Sequence, residues 1–142
     1  MTQPLTLCAI LALAAAGAAA PVLAEIVSRP SQVACDARKL GARELAECLR
    51  IGADRADSEL RTAVEAALKS IDSRQGLMSG QKARWRRSLS DAQALWATWR
   101  DSECQDVAPF EGGMAAKGAD PRLSCIIDYD AQRAANLKAR YP

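Results

Sequence analysis

The chain contains no histidine among its 142 residues. Histidine is the general base in the familiar Ser–His and Cys–His nucleophile arrangements, so its absence excludes both of them. The sequence also lacks a P-loop and a GxGxxG motif, which leaves nucleotide chemistry without a binding loop. We therefore predict a protein that is not an enzyme, with no catalytic residue and no cofactor.

Paired carboxylates are the remaining catalytic possibility, because two of them can together cleave a glycosidic bond. The candidates, by residue type alone, are Asp54, Asp57, Glu59, Asp128 and Asp130. They fall on helix faces predicted to be polar, where acidic side chains are ordinarily solvated. The chain is also short for a protein that must build a sugar cleft. We favour solvated acids over a glycosidase.

Aromatic residues and net charge are both low. The chain has one Phe, two Tyr and three Trp, and its formal net charge is +2. The core must therefore be built mainly from Leu, Ala, Ile and Trp. A nucleic-acid-binding protein would have a basic stripe or cluster, and the nearest feature is the Arg-Trp-Arg-Arg run at 84–87. We interpret that run as a solvated helix face and expect no nucleic-acid partner.

The N-terminus resembles an export signal. Residues 5–20 are an unbroken run of apolar and small residues, followed by Val22 and Ala24 at the positions that a signal peptidase recognises. The run is shorter than the roughly 20 apolar residues that a membrane span needs. Cys8 lies too early for a lipoprotein signal and lacks a small residue before it. We predict a signal peptide over 1–24, a mature domain over 25–142 that is periplasmic or secreted, and no membrane attachment after cleavage.

Four cysteines remain in the mature domain, namely Cys35, Cys48, Cys104 and Cys125. An even number in a small exported domain indicates two disulfides. Zinc is the alternative, but the chain has no CxxC pair and no histidine, so we expect no metal site. Among the three possible connectivities we favour the sequential one. Thirteen positions of straight helix would separate Cys35 from Cys48 by about 20 Å, so the chain must turn between them, and we expect the turn at Gly41.

Apolar residues recur at helical spacing in three stretches, which predicts three main helices. The first runs from residue 40 to 71, with a buried stripe at Leu45, Leu49, Ala56, Leu60, Ala63, Ala67 and Ile71. The second follows a Ser79 cap and has its stripe at Trp85, Leu89, Ala92, Trp96 and Trp99. The third has its stripe at Leu123, Ile126, Ile127, Ala134 and Leu137.

The ends of these helices carry recognisable signals. Pro109 is expected to end the second helix near Val107, because proline disfavours a helical residue before it. Asp120 and Pro121 suit the start of the third, with the aspartate capping and the proline in the first turn. We predict an all-α fold, a small helical bundle of three main helices with a short N-terminal helical segment.

The segment 96–104 is the densest in the chain. It is either an exposed hot spot of aromatic and arginine side chains or a structural element. We favour the second, in which Trp96 and Trp99 pack inward while Arg100 and Asp101 form caps or ion pairs beside Cys104.

Several short motifs accompany the four cysteines in a fixed order. Asp57 and Leu60 belong to an Ala-Asp-x-x-Leu segment, Gln93 and Trp96 to a Gln-x-x-Trp segment, and Trp99, Arg100 and Asp101 precede Cys104; Gly112, Gly113, Cys125, Arg133 and Leu137 follow. Over most of residues 35–138 this order resembles the exported bacterial domain at the N-terminus of LprI-type lysozyme inhibitors. The chain departs from that pattern at Arg61, Val64 and Asp130, where members tend to have Asn, Tyr and Thr.

The resemblance implies an all-helical LprI-like domain that inhibits lysozyme. Animal lysozymes are commonly basic, so an inhibitor steered by charge would be acidic, whereas this chain is slightly basic. Inhibition would then need local complementarity between the two surfaces. We expect a loop to enter the sugar cleft of the enzyme, and the candidate binding loop runs from Phe110 through Gly112, Gly113 and Met114 to Gly118. The alternative partner is another exported protein, bound by a structural or assembly factor of the envelope.

Overall fold

The computed structural model describes residues 29–111 and 118–142. Within these ranges the chain forms five helices, α1 (Pro30–Ala34), α2 (Ala42–Ser73), α3 (Ser79–Ser102), α4 (Ala108–Glu111) and α5 (Pro121–Arg140), and a π-helical turn (Glu103–Val107) joins α3 to α4. The described residues include no strand. The predicted all-α bundle of three long helices and a short N-terminal segment is therefore confirmed. The predicted signal peptide and the loop residues Gly112, Gly113 and Met114 lie outside the described residues.

The core forms mainly between α2 and α5. All seven residues predicted for the buried stripe of α2 are buried. Leu60 and Ile71, in the second half of α2, pack with Leu137 near the end of α5. Leu49, in the first half, packs with Ile127 near the start of α5. The two helices therefore lie side by side and run in the same direction. None of the helices in the described ranges is both long enough and apolar enough to cross a membrane.

The third long helix, α3, runs antiparallel to α2 and packs through a narrower face than predicted. Leu89 is buried, and Trp85 and Trp96 are half-buried, as the predicted stripe requires. Ala92 is exposed, however, and Trp99 is 48% exposed, so the predicted inward packing is wrong for these two residues. The bundle side of α3 instead includes polar residues that hydrogen-bond to α5, which hydrophobic spacing alone does not reveal.

Both disulfides have the predicted connectivity. The α-carbons of Cys35 and Cys48 are 5.8 Å apart, and those of Cys104 and Cys125 are 5.4 Å apart. The turn between Cys35 and Cys48 was predicted at Gly41, and this prediction is wrong. The turn lies at 36–39, where the Lys39 N–H donates to the Asp36 carbonyl at 2.9 Å. The first disulfide holds α1 against α2, and the second joins the π-helical turn to α5.

Two predictions about the ends of α3 are wrong. Ser79 is the first helical residue and not the cap. The capping position is occupied by Met78, whose N–H donates to Gln81 Oε1 at 2.9 Å. The helical chain also continues past Pro109, which lies in α4 directly after the π-helical turn, so the proline does not end the helical run. The start of α5 is as predicted, since Asp120 accepts from the Arg122 N–H at 3.0 Å and Pro121 follows it.

Candidate functional site

An arginine on α3 and an aspartate on α5 form the centre of a polar network inside the bundle. Arg100 Nη1 donates to Asp130 Oδ1 at 2.7 Å, and the Asp130 side chain is fully buried. The Nε and Nη2 atoms of Arg100 donate to Asp101 Oδ1 at 3.0 and 2.6 Å. One guanidinium therefore bridges an acid on its own helix and an acid on α5.

The long helix α2 joins this network through Asp57. Its Oδ1 atom lies 4.0 Å from Arg100 Nη1, and its other carboxylate oxygen accepts a hydrogen bond from Arg61. Side chains from all three long helices thus meet around one guanidinium, and the network adds polar contacts to those of the apolar core.

The indole of Trp96 is the aromatic component of the network. The guanidinium carbons of Arg100 and Arg133 each lie 5.6 Å from the centre of its ring, within the range of cation–π attraction. Arg133 Nε also donates to Gln93 Oε1 at 2.9 Å. Trp96 is thereby held between the apolar core and two cations, which explains why it is only half-buried.

Burial and pairing act in opposite directions on these ionisable groups. Burial raises the pKa of Asp130 above its ordinary value of 3.8, and the hydrogen bond from Arg100 opposes that rise. Burial lowers the pKa of Arg100, but the hydrogen bonds to Asp130 and Asp101 outweigh it and leave the pKa raised. Arg100 therefore stays a cation. Asp130 Oδ2 has no hydrogen-bond partner among the described residues, so this buried pair is incompletely satisfied.

The position of Asp130 contradicts the prediction that it lies on a solvated face. It is buried because its spacing continues the apolar stripe of α5, three residues after Ile127 and four before Ala134. That spacing was a signal in the sequence, hidden by the residue type. Asp128, predicted to be solvated in the same way, is half-buried and accepts from the Ser31 N–H at 2.8 Å.

The family-motif residues converge on this part of the bundle. Six of them form the network itself, namely Asp57, Gln93, Trp96, Arg100, Asp101 and Arg133. Leu60 packs in the adjacent core. Trp99 lies outside the network, with its ring centre 5.0 Å from that of Tyr129 in an edge-to-face arrangement. These side chains are tied mainly to one another, which is the behaviour of a structural centre.

A groove of about 690 Å³ lies between α1, α4 and α5. Its walls include the acids Glu103, Glu111 and Asp128 and the side chains of Arg29 and Tyr129. In the part of the chain that the structure describes, no three His, Cys, Asp or Glu side chains are grouped so that they could hold a metal ion. Of the predicted binding loop, the structure describes Phe110, Glu111 and Gly118; the first two lie in α4 and not in a loop, and Phe110 is 85% exposed.

These features define a class, a small helical bundle held by two disulfides and by a polar network centred on the buried Asp130. A scan against protein-family models matches residues 35–137 to the family described as Lysozyme inhibitor LprI. The match covers well over half of the chain, and the chain therefore belongs to the LprI lysozyme-inhibitor family. Neither the search of curated proteins nor the search of solved structures returns a match.

Proposed function

We propose that the protein is an exported, non-catalytic binding protein that inhibits a lysozyme-type enzyme of the cell wall. The family match over residues 35–137 is the observation that carries this proposal. The absence of histidine from the sequence supports binding without chemistry, because the commonest general base is missing.

Export is the second part of the proposal. Two disulfides persist in an oxidising compartment such as the periplasm or the extracellular space, and they are rare in the cytoplasm. The apolar run at residues 5–20 supplies a signal peptide with cleavage after Ala24. The mature protein, residues 25–142, is then periplasmic or secreted.

Inhibition without catalysis requires a rigid body that covers the substrate cleft of the enzyme. The network around Arg100 and the Cys104–Cys125 disulfide together hold the end of α3 in place. A surface at that end is ordered before binding, so little conformational entropy is lost in the complex.

The experiment is a lysis assay with a panel of lysozymes. Purified mature protein, with both disulfides oxidised, is mixed with each enzyme before a cell-wall suspension is added. Slower lysis at near-equimolar ratios supports the proposal. If no enzyme of the panel is inhibited and the protein instead captures another exported protein from the periplasm, the envelope-factor alternative replaces it.

The candidate loop is a separate part of the proposal with its own test. Deletion of residues 112–117 removes Gly112, Gly113 and Met114 and leaves Phe110 and both disulfides. We expect weaker inhibition with an unchanged circular dichroism spectrum. Unchanged potency would discard the loop and leave inhibition to the helical surfaces.

A further inference from the structure

Four large apolar side chains are exposed along the continuous helical segment from α3 through the π-helical turn to α4. They are Leu95, Trp99, Val107 and Phe110, with exposed fractions of 74%, 48%, 37% and 85%. Leu95 and Trp99 are one turn apart, as are Val107 and Phe110. Val107 follows Trp99 by eight residues, which make about two turns, because the π-helical turn holds more residues than an α-helical one. The four side chains therefore share one face.

Acidic side chains flank this apolar line. Glu103 follows Trp99 by four residues, and Glu111 follows Val107 by four, so both lie beside the line on the side of the groove. Asp106 is exposed on the same π-helical turn. None of these three carboxylates forms an ion pair with another residue that the structure describes. We refer to the four apolar residues with Glu103, Asp106 and Glu111 as the acidic face.

The charge of the chain is strongly divided along this segment. Residues 101–111 contain four acids and no Lys or Arg, whereas residues 74–90 contain five Lys and Arg and no acid. The formal net charge of +2 therefore conceals an acidic end. This division removes the difficulty that a slightly basic chain poses for binding a basic enzyme, because association depends on the local potential at the interface.

We infer that the acidic face is the surface that docks on the inhibited enzyme, and that its partner is a basic protein surface with Lys or Arg side chains around an apolar patch. This inference rests on the proposed function. The charge of the face favours this partner, since three carboxylates repel an anionic lipid surface and the same face of a second copy. Exposed Trp99 and Phe110 supply the apolar and aromatic anchors that protein interfaces favour.

The acidic face is held rigidly from behind. Cys104 is completely buried, and its disulfide to Cys125 fixes the π-helical turn on α5. Trp99 rests edge-on against Tyr129, which itself borders the groove. A binding surface that is already ordered loses less entropy on association than a mobile one.

The test measures binding of a basic animal lysozyme by the mature, oxidised protein at low and at physiological salt. The test variant is Glu103→Gln/Asp106→Asn/Glu111→Gln, which keeps the side-chain shapes. The control is Glu59→Gln/Glu65→Gln/Asp91→Asn, which removes the same charge from exposed acids elsewhere. We expect the Kd of the test variant to rise about tenfold with a smaller salt dependence, and that of the control to stay near the wild-type value.

A second variant tests the apolar line. Leu95→Ser/Phe110→Ser changes two highly exposed side chains, and we expect faster dissociation, about tenfold. If the wild-type protein inhibits and all three variants bind as tightly as it does, the acidic face is not the docking surface. The proposed function would then still stand. Wild-type binding that does not weaken with salt would overturn the acidic face as well. Failure of the wild-type protein to bind or inhibit any lysozyme, basic ones included, would reject both the face and the proposed function.

Discussion

Arg100 on α3 donates a 2.7 Å hydrogen bond to Asp130 on α5, and it is the only described residue that bonds to this fully buried carboxylate. The pair matters because α3 has a single buried apolar residue, Leu89. The polar contact between Arg100 and Asp130 therefore helps to hold α3 on the bundle, whereas apolar packing holds α2 and α5 together. Removing either partner should loosen α3 from the bundle.

The two partners should differ in the cost of their removal. Arg100→Met leaves Asp130 as a buried charge without a partner, and we expect the free energy of unfolding to fall by about 3 kcal/mol. Asp130→Asn should cost less, because an amide oxygen can still accept from Arg100 and Asp101 still neutralises that cation. Urea denaturation at pH 7 measures both. A larger loss for the asparagine variant would contradict the central place of Arg100.

Gly118 should be the glycine least tolerant of substitution. Its φ of +86° is disfavoured for L residues, and a β-carbon there would collide with the backbone of Ala42. Gly76 has a φ of +77°, but no atom of a described residue lies within 4 Å of such a carbon, so it isolates the conformational cost, about 1–2 kcal/mol. We expect Gly118→Ala to be clearly less stable than Gly76→Ala in thermal unfolding. Equal stability would mean that the contact with Ala42 is unimportant.

The Cys104–Cys125 disulfide should set the stability of the acidic face. Replacing both cysteines by alanine opens a loop of 21 residues, and we expect a loss of about 3 kcal/mol. Amide hydrogen exchange should accelerate first in Glu103–Val107 and α4, where few other contacts hold the chain. If exchange there stays as slow as in the wild-type protein, the disulfide does not order this segment.

The charge of Asp120 should make α5 sensitive to acid. The hydrogen bond from the Arg122 side chain lowers the pKa of Asp120 below its ordinary value of 3.8, and the bond from the Arg122 backbone adds to this effect. An acid whose pKa is lowered by folding stabilises the folded state at pH values above its ordinary pKa. This contribution is lost as the pH falls through the lowered pKa. Asp120→Asn keeps the cap but not the charge.

The corresponding measurement compares wild type and Asp120→Asn by thermal unfolding between neutral pH and pH of about 2. We expect the variant to be less stable at neutral pH and the difference to shrink in acid. A difference that stays constant over the whole range would show that the charge contributes nothing to folding.

Hydrophobic spacing predicts the parts of the fold that are built from apolar residues. The stripe of α2 is correct at every position from Leu45 to Ile71, because that helix is buried along one continuous face. Spacing fails on α3, where the inward positions include Gln93 and Arg100 and where Trp99 faces outward. Polar contacts between helices depend on partners that are distant in the sequence, and no local pattern shows them.

The candidate site divides in the same way. The motif residues identified from the family resemblance do come together, but their arrangement around Asp130 could not be anticipated from residue type. The apolar line of the acidic face is only partly visible in the sequence, because Val107 comes into register with the other three residues only through the π-helical turn. A regular α-helix continued from Trp99 would rotate Val107, eight residues on, by about 80° from this line, whereas Phe110, eleven residues on, would return to within about 20° of Trp99.

The most direct test of this account is a titration of a basic animal lysozyme with the mature, disulfide-bonded protein, following lysis of a cell-wall suspension. We expect the activity to fall with added protein and to approach zero near one equivalent, as is typical of a tight inhibitor that covers the cleft. Full activity in the presence of a large excess of the folded protein, for this enzyme and for the others of the panel, would contradict it.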